Sequence, residues 1–307
     1  MYRIALILFG IILLILNQTG QLISFNFQFT LFIAGIVLLG IPHGAADLLV
    51  AIQNRQHQKS VFSRIHFFSG YLGRMIGFGL LLYFFPVVGI LLFIIFSAYH
   101  FGETDLHFFK TNNFWGKLLV VSYGLVILSV ILLHDPEELL QIITIGGFEE
   151  GNFLFIQQLI NYRVAILSFS LLFFFSSVFL YFLLAKEKEK IEDQFLWQFA
   201  ILIIILYNIP LLLGFTFYFV IWHSLLSIRN IFSYLSVNRE MTYPFIARQI
   251  VFYSLLALVG IALFIFTGYL DFSSRAVVIY ILFGLAVLTA PHMNIMHEMY
   301  NRLRKSK

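Results

Sequence analysis

Cysteine is absent from this sequence of 307 residues, and charged residues make up only 11% of it. Without cysteine the chain can form no disulfide, no thiolate zinc site and no iron–sulfur cluster. A soluble domain carries about a quarter charged residues, so this chain has too few charges to cover a water-facing surface of its size. Any bound metal must therefore depend on nitrogen and oxygen ligands, of which the nine histidines are the first to inspect.

Apolar residues take the place of the missing charges. They make up 61% of the chain, and the mean hydropathy is +0.93. A spanning helix needs about 20 predominantly apolar residues, and suitable segments recur at 4–17, 29–52, 66–85, 87–109, 117–133, 162–185, 195–210, 211–232, 245–268 and 276–300. The sequence predicts an all-α, polytopic integral membrane protein, a single helical bundle over residues 1–307 with about ten transmembrane helices. The division near Pro210 is either a tight turn or a kink.

The basic residues predict the orientation of this bundle. With the N-terminus in the cytoplasm, nearly all of the 19 lysines and arginines lie on the cytoplasmic side, the exceptions being Arg74, Arg163 and Arg275. Cytoplasmic loops carry such an excess, so both termini are predicted to be cytoplasmic and the positive net charge needs no nucleic-acid partner. The first apolar segment lacks a small-x-small cleavage site and is interpreted as a retained helix. In the outer loop, residues 137–143 are expected to form a short amphipathic helix.

Four of the histidines lie well inside apolar segments. They are His43, His100, His223 and His292, on the second, fourth, eighth and tenth predicted helices. Counted from the outer helix ends they are roughly 14, 13, 12 and 16 residues deep, depths that agree to within about 6 Å. Ionisable residues inside a membrane are costly and usually functional. The sequence therefore predicts one layer of imidazoles that converge on a metal ion, whereas the other histidines, at helix ends and in loops, are expected at the surface.

Residues close to these histidines are candidates for supporting contacts. A ligating histidine usually donates its second N–H to a carboxylate or a carbonyl. Asp47, Glu103 and Asp105 each follow a candidate ligand by about one helical turn. Tyr99 and Trp222 each lie directly next to one of the histidines, and we expect them to support the ligands or to line a substrate tunnel.

The kind of ligand narrows the choice of metal. Neutral imidazoles suit iron, copper and zinc. Four ligands would complete the coordination of zinc and leave no open position, whereas six-coordinate Fe(2+) would keep two positions for O₂ and a substrate. We therefore expect iron(II) as the cofactor of an oxygenase. Its substrate should be lipid-soluble, because it would reach the metal from the surrounding membrane lipid.

Four segments together resemble the Brp/Blh family of microbial β-carotene 15,15′-dioxygenases. They are Gly-Ile-Pro-His-Gly-Ala-Ala-Asp at 40–47, Tyr-His-Phe-Gly at 99–102 with Asp105, Trp-His-Ser at 222–224 and Ala-Pro-His at 290–292. The resemblance implies an iron(II)-dependent enzyme of the bacterial inner membrane that cleaves β-carotene at its central double bond with O₂, yielding two retinals. Retinal would then serve a retinal-binding rhodopsin. Family members often carry a further histidine one turn after Trp-His-Ser, where this sequence has Ser227.

Three other interpretations stay open at this point. A haem protein with two axial histidines would use the same residues for electron transfer. A transporter would account for the helix number and for the proline and glycine interruptions, although it would more naturally use carboxylates at mid-membrane depth. A di-iron hydroxylase or desaturase needs closely spaced histidine clusters, whereas here each helix supplies one mid-depth histidine.

Overall fold

The computed structural model describes residues 2–19, 23–57, 62–145, 150–184, 193–237, 241–267 and 274–305. These residues form twelve helices and no strand: α1 (Tyr2–Gln18), α2 (Phe25–Gln56), α3 (Arg64–Phe84), α4 (Pro86–Asp105), α5 (Phe114–Leu133), α6 (Pro136–Ile145), α7 (Glu150–Asn161), α8 (Arg163–Leu184), α9 (Asp193–Tyr207), α10 (Leu211–Leu235), α11 (Tyr243–Ile265) and α12 (Ser274–Lys305). Eight of them are long and apolar enough to cross a membrane, and two shorter apolar helices lie at Tyr2–Gln18 and Phe195–Tyr207. The predicted all-α membrane bundle is confirmed.

The chain turns at Pro210 and does not merely kink there. Helix α9 ends at Tyr207, and α10 begins at Leu211 after an extended Pro210 with φ −53° and ψ 155°. The carboxylate of Glu138 accepts hydrogen bonds from the N–H groups of Leu211 (2.5 Å) and Leu212 (3.3 Å). It thereby satisfies donors that a helix start leaves unpaired. Burial raises the pKa of Glu138, and the two backbone donors oppose that rise.

The outer connection contains one helix that the sequence predicts and one that it does not. The expected helix at 137–143 corresponds to α6. Helix α7 follows it before α8, and its apolar side chains Ile156 and Ile160 are buried. The charged segments 58–61, 185–192 and 238–240, on which the predicted orientation partly depends, lie outside the described residues. The cytoplasmic position of the termini therefore stays a prediction.

Two of the helices that carry a mid-depth histidine depart from α-geometry beside it. In α2 the residues Ile36–Gly40 form a π-helical turn, in which the N–H of Ile41 bonds the carbonyl of Ile36. Pro42 follows at once, and a proline inside a helix removes a backbone donor and crowds the carbonyl four residues before it. In α10 the π-helical stretch Thr216–His223 ends at the histidine itself. Such turns change the direction of the following side chains and are frequent at functional sites.

Helices α4 and α5 pack with their backbones in close approach. A Cβ atom added to Gly102 would collide with the carbonyl oxygen of Val120, and one added to Gly124 would collide with the carbonyl oxygen of Ala98. Small residues at such crossings let membrane helices associate tightly. Because Gly102 is two residues from His100, this contact fixes the position of a candidate ligand relative to the bundle.

We expect Gly124→Ala to destabilise the protein by about 1–3 kcal/mol, since the new methyl group must push two helix backbones apart. The matched control is Gly260→Ala on α11, where an added Cβ meets nothing within 4 Å. Thermal unfolding of both variants in detergent, followed by tryptophan fluorescence, measures the difference. Equal unfolding temperatures would contradict the close packing of α4 on α5.

Candidate metal centre

The rings of His43, His100, His223 and His292 lie together in the interior of the bundle. Each residue is buried, with no more than 8% of its surface exposed. The ring centroids of His43 and His292 are 4.5 Å apart, those of His100 and His223 are 4.8 Å apart, and those of His100 and His292 are 5.0 Å apart. The ring centroids of His43 and His100 are 6.4 Å apart. Helices α2, α4, α10 and α12 thus each bring one imidazole to the same place.

The ring nitrogens of this cluster have the character of metal ligands. Both nitrogens of His43 and of His100, Nδ1 of His223 and Nε2 of His292 are buried and have no hydrogen-bond partner among the described residues. A buried polar atom without a partner costs free energy, and a metal ion would remove that cost for several of them at once. His43, His100 and His223 can each bring one nitrogen to within 4.8 Å of the other two. The donor set therefore fits a metal ion bound through imidazoles.

His292 lies outside that tightest group of three and has a carboxylate partner. Its Nδ1 is 2.7 Å from Oδ1 of Asp47, and the hydroxyl of Tyr71 donates to the other carboxylate oxygen at 2.9 Å. The carboxylate fixes the orientation of the ring and leaves Nε2 as the free ligand atom. Asp47 therefore makes the kind of contact that the sequence suggests, although its histidine is on α12 and is not the neighbouring His43.

Glu103 and Tyr99 contact a different histidine. Oε1 of Glu103 lies 2.8 Å from Nδ1 of His297 and accepts a hydrogen bond from Arg304 at 2.8 Å. The hydroxyl of Tyr99 is 3.2 Å from the same ring nitrogen of His297. His297, expected at a helix end in reach of water, keeps 34% of its side chain exposed. Within the described part of the chain neither Glu103 nor Tyr99 bonds any of the four clustered histidines.

Asp105 and Trp222 bond each other. The buried carboxylate of Asp105 accepts hydrogen bonds from Tyr123 (2.8 Å), Tyr218 (2.9 Å) and the indole N–H of Trp222 (3.1 Å), and its backbone carbonyl accepts one from Arg3. These bonds link α4, α5 and α10 just beyond His100 and beside His223. Their effect on the cluster is to hold the helices that carry two of its members.

An apolar cavity of about 280 Å³ borders the four histidines. Most of the other side chains around it are aliphatic or aromatic, including Ile36, Ile41, Phe101, Phe219, Leu285 and Leu288, and Ser224 and Thr289 add two hydroxyl groups. Helix α11 contributes one face, with Tyr253, Ala257 and Ile261, and the remainder of that helix is largely exposed. The cavity therefore offers a lipid-soluble molecule a place beside the imidazoles, close to a helix whose outer face would contact lipid.

Two features of the site carry little signal in the sequence. Tyr71 borders the cavity and bonds Asp47, yet it is one aromatic residue among many in an apolar segment. Ser227, in the position of the additional family histidine, is buried, and its hydroxyl lies 3.1 Å from the hydroxyl of Tyr300. It is not among the residues that border the cavity. The fourth imidazole of the cluster is that of His292.

Comparison with known proteins identifies a family that this chain matches over most of its length. A family model described as beta-carotene 15,15'-dioxygenase matches residues 34–300, a range that contains all four clustered histidines. No curated protein and no solved structure matches the chain.

Proposed function

Because the chain belongs to the beta-carotene 15,15'-dioxygenase family, we propose that it cleaves β-carotene at the central double bond with O₂. One oxygen atom adds to each carbon of that bond, the bond breaks, and two molecules of retinal result. The observation that carries the proposal is the cluster of four buried imidazoles with unpartnered nitrogens beside an apolar cavity. We propose iron(II) as the cofactor.

In this proposal His43, His100, His223 and His292 hold the iron. Their nitrogens are neutral donors of the kind that suits ferrous iron. The bound metal supplies the activation of O₂, which protein side chains do not provide by themselves. Ser227, which stands where family members often carry a further histidine, bonds Tyr300. In this proposal His292 supplies the fourth imidazole.

The side chains of the protein orient the ligands and the substrate. Asp47 accepts the Nδ1–H of His292, and Tyr71 donates to Asp47, so this ring is held in one orientation and its buried Nε2 is left for the metal. The apolar lining of the cavity keeps water away and contacts the part of the polyene that lies beside the histidines. A carotenoid dissolved in the bilayer would enter beside α11, where the small side chain of Ala257 borders the cavity between Tyr253 and Ile261.

Gly44→Leu is expected to block the cavity without disturbing the cluster. Gly44 borders the cavity next to His43, and a Cβ added to it meets nothing within 4 Å. The leucine side chain would therefore occupy substrate space, so we expect at least a tenfold loss of carotene cleavage with unchanged metal content. Gly77→Leu on α3, which also meets nothing within 4 Å and does not border the cavity, is the control. Full activity of Gly44→Leu would contradict the proposal that the substrate binds in this cavity.

The direct test is expression in bacteria that produce β-carotene. The proposal predicts loss of colour and accumulation of retinal, measured by chromatography, with two retinals formed for each β-carotene consumed. Unchanged carotene in cells that contain folded protein would contradict it. A Soret absorption band in the purified protein would favour the haem alternative, and a folded protein without metal would favour the transporter.

The proposal includes a cellular setting. The chain would be a multi-pass protein of the bacterial inner membrane with both termini in the cytoplasm, as the distribution of lysine and arginine supports. Its retinal would be available to a retinal-binding rhodopsin in the same membrane. Reporter fusions at the C-terminus test the orientation, and a periplasmic signal would contradict it.

A further inference from the structure

A second cavity, of about 400 Å³, lies between α2, α3 and α12 and is predominantly polar. Tyr71 borders both this cavity and the apolar one, so the two are neighbours. Three basic side chains, Arg55, His66 and Arg74, contribute to its lining, and Glu298 is its acidic residue. The predicted orientation of the helices puts it on the cytoplasmic side of the histidines.

Arg74 is the residue that requires an explanation. It lies ten residues into α3, about 15 Å from the helix start, in a segment of mostly apolar residues. A charged side chain at this depth is costly unless it is paired or reaches water. The described residues give Arg74 no hydrogen bond and no ion pair, and both oxygens of the nearby Asp47 are occupied by His292 and Tyr71. Arg74 is exposed and borders the polar cavity, and among the described residues it forms no ion pair with Glu298, the acidic residue of the same cavity.

The chemistry of the lining matches a phosphate group. A guanidinium presents a planar set of donors that fits phosphate oxygens in pairs, and the amides of Asn54 and Asn294 lie in the same cavity. Ser63, the N-cap of α3, also borders it, so the cavity adjoins the positive end of a long helix. Basic pockets between membrane helices on the cytoplasmic side are typical sites for anionic lipid head groups.

We propose that this cavity binds a phosphate group, carried either by an anionic phospholipid or by a soluble phosphate. Arg74 is the principal contact, with Arg55 and His66 nearer the cytoplasmic opening. Phe62 and Phe67, which also border the cavity, give it an apolar side against which an acyl chain can pack. The proposal does not depend on carotene cleavage, because it concerns a cavity separated from the histidines by Tyr71.

The test uses purified full-length protein in a neutral detergent, with phosphatidylglycerol, phosphatidylcholine and inorganic phosphate as separate probes. Binding is followed by native mass spectrometry and by the shift in unfolding temperature. We expect saturable binding of phosphatidylglycerol and an affinity about tenfold lower in Arg74→Leu, as the loss of a charge-assisted contact implies. Arg74→Lys should recover part of that loss. Arg248→Leu, which removes an exposed arginine of α11 that does not border the cavity, should bind like the parent protein.

The two sources of phosphate give different results. Tight binding of phosphatidylglycerol with weak competition from inorganic phosphate assigns the site to a lipid, whereas binding of inorganic phosphate that the lipid does not displace assigns it to a soluble phosphate. The proposal is overturned if no probe binds, if phosphatidylcholine binds as well as phosphatidylglycerol, or if Arg74→Leu and Arg248→Leu lower the affinity equally. Should Arg74→Leu fail to fold, Arg74→Gln gives the same comparison with a polar side chain of similar length.

Discussion

Replacing His100 with alanine is expected to abolish carotene cleavage and to lower iron affinity by at least 100-fold. Loss of a residue that merely supports a ligand already costs about 10–100-fold in metal affinity, and both ring nitrogens of His100 are buried without a hydrogen-bond partner among the described residues. The metal-free protein should remain folded, since no hydrogen bond of the His100 side chain is removed. What should disappear is the rise in unfolding temperature that iron gives to the parent protein.

His107→Ala is the matched control for this variant. His107 follows α4 by two residues, and its Nδ1 donates to the backbone carbonyl of Thr104 at 2.9 Å, so it is a histidine of the same segment outside the cluster. We expect it to keep its activity, its iron and its metal-dependent stabilisation. If His100→Ala still bound iron as tightly as His107→Ala, the cluster could not be the iron site.

Asp47→Asn is expected to lower iron affinity by about 10–100-fold through its effect on His292. The carboxylate of Asp47 accepts from both His292 and Tyr71. An amide has only one oxygen acceptor, so one of the two donors would lose its partner and the imidazole would no longer be held in one orientation. Competition with a chelator, monitored by iron release, measures the affinity directly.

Two further variants separate orientation from simple loss of stability. Tyr71→Phe removes one hydrogen bond to Asp47 and keeps the carboxylate, so we expect only a several-fold loss of iron affinity. Asp105→Asn changes another buried carboxylate, one that bonds Tyr123, Tyr218 and Trp222 and none of the four clustered histidines. We expect Asp105→Asn to lower the unfolding temperature and to change the iron affinity less than Asp47→Asn does. Equal iron affinity in Asp47→Asn and the parent protein would show that the carboxylate does not position the ligand.

That the four histidines lie at one level of the bundle could be predicted, because hydropathy marks where each helix begins and the rise per residue then fixes the level of each side chain. The rotation of each helix about its own axis, which sets the direction of its side chains, could not be predicted from the sequence. The π-helical turn before His43 and the π-helical stretch that ends at His223 alter the direction of both side chains. Pro42 hints at the first of these, whereas nothing in the residues 216–223 signals the second.

Hydrogen-bond partners on distant helices could not be predicted from the sequence either. Asp47 and His292 are separated by 245 positions, and only the packing of α2 against α12 brings them within 2.7 Å. Glu103 follows His100 by three residues, a spacing that suggests contact, yet it bonds His297 and Arg304. A spacing along one helix gives the side on which a carboxylate lies, but the neighbouring helix decides which imidazole it meets.

Whether the four imidazoles hold a catalytic iron can be decided from the metal content of the purified protein and of its four single His→Ala variants. We expect a single iron per chain in the parent protein and a large loss of iron in each variant at His43, His100, His223 and His292. Zinc in place of iron, or iron that survives all four substitutions, would contradict a catalytic iron held by these imidazoles.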